Sequence, residues 1–151
     1  MCGIAGRILN APGKVGDDLV ELMVAQEHRG SDSTGFAIYG IPRDTGYVLR
    51  GMGFDKTSID SDMDDFRNIL KSHGSDFIED PTFVTNEDSH YCTRMVISDP
   101  KDVTRWINDA DEITDRFEVQ SCGRSLEIIK DVGSSDDVAN KHGVRELIGT
   151  H

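Results

Sequence analysis

The sequence predicts a mixed α and β (α+β) domain with antiparallel strand pairing, and three observations carry this. Residues 4–9 and 36–39 are apolar runs too short for helices. Between them, Leu19, Leu22, Met23 and Gln26 recur at helical spacing, with Val20 and Val24 widening the stripe. After them, residues 40–46 hold Pro42 and Asp44-Thr45-Gly46, the chemistry of a reversal, before Tyr47-Val48-Leu49-Arg50. With 151 residues, one domain is expected, and that length supports a substantial core.

Residues 4–9 read as a first strand, apolar on both faces as an inner-layer strand is. Asn10-Ala11-Pro12-Gly13 is a turn cluster. Asp17 or Asp18 is placed to cap the next helix, because a carboxylate there accepts backbone N–H groups. The helix's stripe is core, and Gly30 breaks the helix. Residues 36–39 form a second strand, apolar on both faces, with residues 47–50 as its returning partner.

The stretch 55–65 is acidic, and Met63, Phe66, Ile69 and Leu70 mark one face of the following helix. Asp60, Asp62, Asp64 and Asp65 do not make a calcium loop. Counted from Asp60, Asp65 falls where the turn needs Gly, and Lys71 falls where the ion needs Glu. They read instead as charge at a helix N-terminus.

Residues 83–85 and 91–98 are strands about a polar turn at 86–89. Asp99-Pro100 starts another helix, with Pro in the first turn and Val103, Trp106 and Ile107 as its apolar face. Two short strands surround Cys122-Gly123 between residues 119 and 129. Ser134-Ser135-Asp136-Asp137 caps a last helix that ends near His142-Gly143. No repeat, low-complexity tract or linker is evident. Residues 50–130 read as an elaboration of the one domain, suited to docking a partner.

The chemistry starts at Cys2. A small residue at position 2 favours removal of Met1, which leaves one residue carrying both a thiol and a free α-amine. That is a nucleophile with its own base. The amine titrates at roughly 7.7–8.0 and the thiol at about 8.5, so proton transfer between them is easy near neutral pH. With Met1 attached, the nitrogen is a peptide nitrogen and the base is lost. Gly3 lets backbone and substrate approach closely.

Met1-Cys2-Gly3-Ile4-Ala5-Gly6 resembles the start of class II glutamine amidotransferases. His28-Arg29-Gly30-Ser31-Asp32-Ser33-Thr34-Gly35 is similar to the Arg-Gly-x-Asp-Ser-x-Gly block that follows the first helix of that family. The resemblance implies an N-terminal nucleophile hydrolase αββα sandwich with antiparallel sheets. It implies that Cys2 attacks the side-chain amide of glutamine. By the same resemblance Arg29 sits beside the catalytic residue and steadies the active-site loop, Gly30 belongs to that loop, and Asp32, Ser33 and Gly35 shape the turn into the next strand. Residues 117–133 resemble a segment of the amidotransferase subunits of glutamate synthase and N-methylglutamate synthase-like systems. Glucosamine-phosphate synthase and amidophosphoribosyltransferase share the opening motifs and are the alternative relatives.

The chain departs from that family where substrate is held. The family carries His-Thr-Arg, whose Arg binds the glutamine carboxylate, and Asn-Gly for the oxyanion. Neither occurs in these residues. Cys92-Thr93-Arg94 is a weak substitute and fits an ordinary strand better. The domain, residues 1–151, is therefore expected to be the N-terminal part of a longer one. A non-catalytic subunit, and a hydrolase of linear amides, are the competing readings.

The net charge of −12 excludes a nucleic-acid surface, which needs Lys and Arg to meet phosphates, and disfavours anionic lipid. Cys2, Cys92 and Cys122 have no disulfide or zinc-ribbon spacing. His90 and Cys92 would share one strand face and could begin a metal site with Cys122 or His73; two partly buried polar residues are the simpler account, and neither metal nor cofactor is expected. A reduced Cys2 fits the cytoplasm. The sequence shows no signal peptide and nothing near the ~18–20 apolar residues of a spanning helix. The expected partners are glutamine as substrate and a synthase that receives ammonia.

Overall fold

The computed structural model describes residues 3–29, 32–85, 89–110 and 115–151, apart from the side chain of Arg29. The fold is α+β with antiparallel sheets, and the chain divides into two compact units: Met1–Pro42 with Ser125–His151, and Arg43–Arg124. The second unit is inserted between two strands that pair with each other in the first.

The first unit contains α1 (Val15–Val24), β1 (Ser33–Tyr39), β6 (Leu126–Val132) and α4 (Ser135–His142). β1 and β6 form a two-stranded antiparallel sheet with Ser33 opposite Val132 and Tyr39 opposite Leu126. β1 alternates: Thr34, Phe36 and Ile38 are buried while Gly35, Ala37 and Tyr39 are exposed. Phe36, Ile38 and Ile129 pack on Val15, Leu19 and Val20 of α1 and on Val138 and Ala139 of α4. Ser134 caps α4, its Oγ accepting from the Asp137 N–H at 3.2 Å, and Gly143 ends it in the left-handed conformation at φ 63°. The last helix thus forms as the sequence indicates.

Three expectations fail in this unit. Residues 4–9 form no strand: Ile4 and Ile8 are 91% and 73% exposed, and a strand needs a ladder partner, whereas among the described residues Leu9 alone of this stretch bonds another backbone, donating to Thr150 O. Asp17 and Asp18 do not cap α1, which begins two residues earlier at Val15; they lie in its first turn, where negative charge is favourable. α1 also ends at Val24, well before Gly30, because Gln26 N–H turns back to Met23 O and a 3₁₀ turn follows at Glu27–Arg29.

The second unit contains β2 (Tyr47–Gly53), α2 (Ile59–Ser72), β3 (Phe77–Thr85), β4 (Tyr91–Ile97), α3 (Val103–Ala110) and β5 (Phe117–Gly123). Its sheet runs β3-β4-β2-β5, all neighbours antiparallel. Phe66 and Leu70 of α2 and Trp106 and Ala110 of α3 pack on Leu49, Tyr91, Met95, Ile97 and Phe117. The apolar faces anticipated for both helices are the ones buried. β2 is not the hairpin partner of β1. Gly46, at φ 74°, donates its N–H to Asp99, while Arg124 stacks on Tyr47 at 4.6 Å and bonds Asp44 O. These ties carry the turn into the four-stranded sheet, and β6 takes the place beside β1. Asp99-Pro100 likewise does not open α3. Asp102 does, accepting the Arg105 N–H at 3.0 Å. Among the described residues no helix is long and apolar enough to cross a membrane.

Candidate active site

Cys2 and Gly30 lie outside the described residues, and so does the side chain of Arg29. Their immediate neighbours are placed. Gly3 rests against Gln26, just past the end of α1, so closely that a Cβ on Gly3 would lie 3.3 Å from Gln26 Cβ and 2.9 Å from its Oε1. The backbone of Arg29 belongs to the 3₁₀ turn that follows. Glu27, in the same turn, accepts the Ser135 N–H at the start of α4 through Oε1 at 3.2 Å. The residue after the proposed nucleophile and the beginning of the His28-Arg29-Gly30 block therefore both lie beside the end of α1.

Asp32 and Ser33 are exposed where β1 begins, and Gly35 is exposed within it. Asp32 contributes its carbonyl, accepting the Gly133 N–H at 3.1 Å, which closes the end of the β1–β6 pair. Thr34 went unrecognised from sequence: it is buried, and its Oγ1 donates to Gly133 O at 3.1 Å. Gly35 meets its neighbours at ordinary distance, 3.6 Å from a Cβ to Lys130 Cγ, so packing alone does not demand glycine there.

A slot of about 460 Å³ opens along β1. Residues 5–8, Leu19 and Met23 of α1, Gly35, Ala37 and Tyr39 of β1, and His151 line it. Thr150 N–H donates to Tyr39 O at 2.8 Å, and Tyr39 N–H donates to His151 O at 2.9 Å. Gly149 makes this approach possible, because a Cβ there would overlap the Tyr39 carbonyl. Behind the sheet, the buried Asp131 carboxylate accepts from Lys141 Nζ at 3.1 Å and His142 Nε2 at 2.9 Å, tying the end of α4 to β6.

The two other thiols are strand residues, Cys92 in β4 and Cys122 in β5. Burial pushes the Cys122 thiol up to about 12, which keeps it protonated and unreactive near neutral pH. Cys92 is buried in β4 on the face opposite Tyr91 and Met95, whereas Cys122 packs with the helix-covered core. Strand alternation thus separates the two sulfurs and removes Cys122 as a co-ligand of His90 and Cys92. His73 is engaged elsewhere, its Nε2 2.6 Å from Asp109 Oδ2. Cys92-Thr93-Arg94 lies inside β4, with Thr93 Oγ1 donating to Thr82 O at 3.1 Å, as an ordinary strand segment does.

No protein-family model matches the chain. Two relatives align with all of it. One, from Methanothermobacter thermautotrophicus (strain Delta H), is named "Putative glutamine amidotransferase" and is 32% identical over 158 residues, covering 100% of this chain and 50% of the relative. The other, glutamine amidotransferase-like protein GlxB of Rhizobium meliloti (strain 1021), is 28% identical over 159 residues, covering 100% of this chain and 48% of the relative. The chain spans about half the length of these curated relatives. Its similarity over that span is to proteins named for glutamine amidotransfer.

Proposed function

We propose that this chain is the amino-terminal part of a class II glutamine amidotransferase domain that serves a glutamate synthase-like system. The observation that carries the reading is the pairing of Met1-Cys2-Gly3-Ile4-Ala5-Gly6 with the block at residues 28–35, in a chain similar along its whole length to proteins named for that activity. The contact of Gly3 with Gln26 supports it, because it brings the two motifs to the same end of α1.

In this reading Met1 is removed and the α-amine of Cys2 takes the thiol proton. The thiolate attacks the glutamine carboxamide carbon, forming a C–S bond. The amine returns the proton to nitrogen as the C–N bond breaks and ammonia leaves. Water, activated by the same amine, then attacks the γ-glutamyl thioester, and glutamate departs with regeneration of the thiol. Arg29, Gly30, Asp32, Ser33 and Gly35 form and support the loop beside Cys2. The Arg for the substrate carboxylate and the Asn-Gly donors for the oxyanion belong to further polypeptide, as the roughly doubled length of the relatives supports. Ammonia is a nucleophile only while unprotonated, so a synthase subunit or domain receives it directly. A nucleophilic thiol that must stay reduced fits a reducing cytoplasm.

The test is the intact mass of purified protein before and after a diazo-ketone analogue of glutamine. Loss of Met1 and a single adduct, abolished by Cys2→Ala, is expected. A chain that keeps Met1, or that is processed and never labels, would transfer the assignment to a longer protein and leave this chain as a non-catalytic subunit.

A further inference from the structure

We propose that Gln26 is the positioning residue for the amino-terminal nucleophile. The proposal rests on the reading of Cys2 given above, and its test separates the two.

Gln26 follows the last turn of α1, and its N–H donates back to Met23 O at 3.0 Å. The side chain folds along the same turn, with Nε2 donating to Leu22 O at 3.5 Å. That bond turns the carbonyl end toward Gly3. A Cβ built on Gly3 would lie 2.9 Å from Oε1 and 3.3 Å from Gln26 Cβ, closer than side chains pack. The backbone at Gly3 therefore rests directly on the Gln26 side chain, and only glycine fits there without displacing it. Cys2 follows within one peptide link, about 3.8 Å between Cα atoms.

Among the described residues the segment after Gly3 is lightly tied. Ile4 and Ile8 are largely exposed, Arg7 reaches the exposed Asp18 at 3.2 Å, and Leu9 makes the first backbone bond, to Thr150 O. A nucleophile on such a segment needs a fixed point nearby, since a misplacement of about 1 Å costs on the order of a hundredfold in rate. Gln26 supplies that point and is itself anchored. Glu27, the next residue, accepts the Ser135 N–H at 3.2 Å, at the start of α4, where a helix favours negative charge.

The chemistry of the side chain fits the role. An amide packs and accepts hydrogen bonds without carrying charge. The Cys2 amine must be neutral to take the thiol proton, and a carboxylate beside Gly3 would hold it protonated and oppose the thiolate. In a chain of net charge −12, the acid of this turn, Glu27, is directed to α4, and His28 is exposed. The uncharged residue is the one that meets Gly3.

Alkylation of Cys2 by iodoacetamide tests this, followed by peptide mass at low salt from about pH 6 to about pH 10. The whole chain is released from a cleavable fusion so that it begins at Cys2. The reagent needs no glutamine pocket. Gln26 is half-buried, so Gln26→Glu should fold. It should move the midpoint of the rate profile upward by about half a pH unit or more, whereas the uncharged Gln26→Met should leave it in place. Gly3→Ala drives the segment off residue 26, so Gln26→Glu should produce a smaller shift in a Gly3→Ala background. The inference is overturned if Gln26→Glu leaves the midpoint unmoved, or if its shift is equal in both backgrounds, which would make the charge a distant one. The diazo-ketone analogue reports separately on the proposed chemistry. A chain that it never labels, but whose midpoint moves, keeps Gln26 beside Cys2 and loses glutamine hydrolysis. A chain that it labels, but whose midpoint stays, keeps the hydrolysis and loses Gln26.

Discussion

The Tyr91 hydroxyl donates to Asp62 Oδ2 across 2.9 Å with both side chains withdrawn from solvent. Ser58 Oγ donates to the same oxygen, and Arg116 Nε stands 3.7 Å from the other. Gly53 lies flush against the Tyr91 ring, where any Cβ would overlap it. The hydroxyl is held well above its usual titration range, first by burial and then by the bond to Asp62. A carboxylate costs several kcal/mol to bury alone, and these donors offset that cost while locking α2 onto β4. Tyr91→Phe should therefore lose about 1.5–3 kcal/mol, the worth of a buried bond to a charged group. Asp62→Ala should lose more, because it strands the hydroxyl. Urea unfolding of both single variants and the double variant measures the coupling; additive losses would show that the bond is not what holds the pair.

Alkaline pH should weaken the fold through Cys122. The folded thiol is pushed up to about 12 by burial, whereas an unfolded one ionises at about 8.5. The native state thus binds the proton more tightly. Its stabilising effect is complete below about pH 8.5 and is lost as pH rises toward the folded value, by at most about 1.4 kcal/mol per pH unit. Comparing urea midpoints near pH 8 and pH 10, wild type should lose more stability than Cys122→Ala. An equal loss in both proteins would place the alkaline sensitivity elsewhere.

The elements that could be read in advance are those whose burial follows a local period. Phe66 and Leu70 on α2 and Trp106 on α3 bury the faces their spacing marks. Partner choice is not a local property. Nothing near Tyr47 says that it will pair across from Ile97 rather than return along β1, since the deciding ties come from Asp99 and Arg124, far along the chain. Residues 4–9 carry a strand's composition without a ladder to join. For the site, Cys2 and the residue 28–35 block were legible as motifs. The contact of Gly3 with Gln26 was not, because a glutamine at the end of a helical stripe looks like any polar edge residue.

Arg145 should be the most salt-sensitive side chain of the first unit. Its guanidinium reaches Asp17 and Glu21 on α1, each at 2.8 Å, and Asp136 on α4 at 3.0 Å. The bond to Asp136, then those to Glu21 and Asp17, hold its charge more firmly than usual. Without it, three carboxylates face one another in an already acidic chain. Arg145→Ala should lower Tm, and Arg145→Lys should recover only part of the loss, because an ammonium cannot fork to three partners. Both deficits should shrink in high salt. A deficit that salt leaves unchanged would assign the effect to the packing of the Arg145 stem.

Gly16 offers a case where two rules disagree in sign. It sits near the start of α1, and replacing a helical glycine with alanine ordinarily gains about 1 kcal/mol. Here a Cβ would overlap the carbonyl oxygen of Val144 and lie 3.1 Å from its carbonyl carbon and 3.2 Å from Leu147 O. Those are backbone atoms of the 3₁₀ turn at Val144–Glu146 and of Leu147 just after it, and the Val144 side chain is wholly buried in the core with Val15, Leu19 and Val20. They cannot step aside as a side-chain tip can, so overpacking should outweigh propensity, with a net loss of about 1–3 kcal/mol. Gly6→Ala is the control, since none of the described residues lies within 4 Å of a Cβ there. Thermal unfolding should therefore show Gly16→Ala melting several degrees below wild type and Gly6→Ala close to it. A Gly16→Ala protein that melts at or above wild type would mean that helix α1 does not press on the Val144 turn.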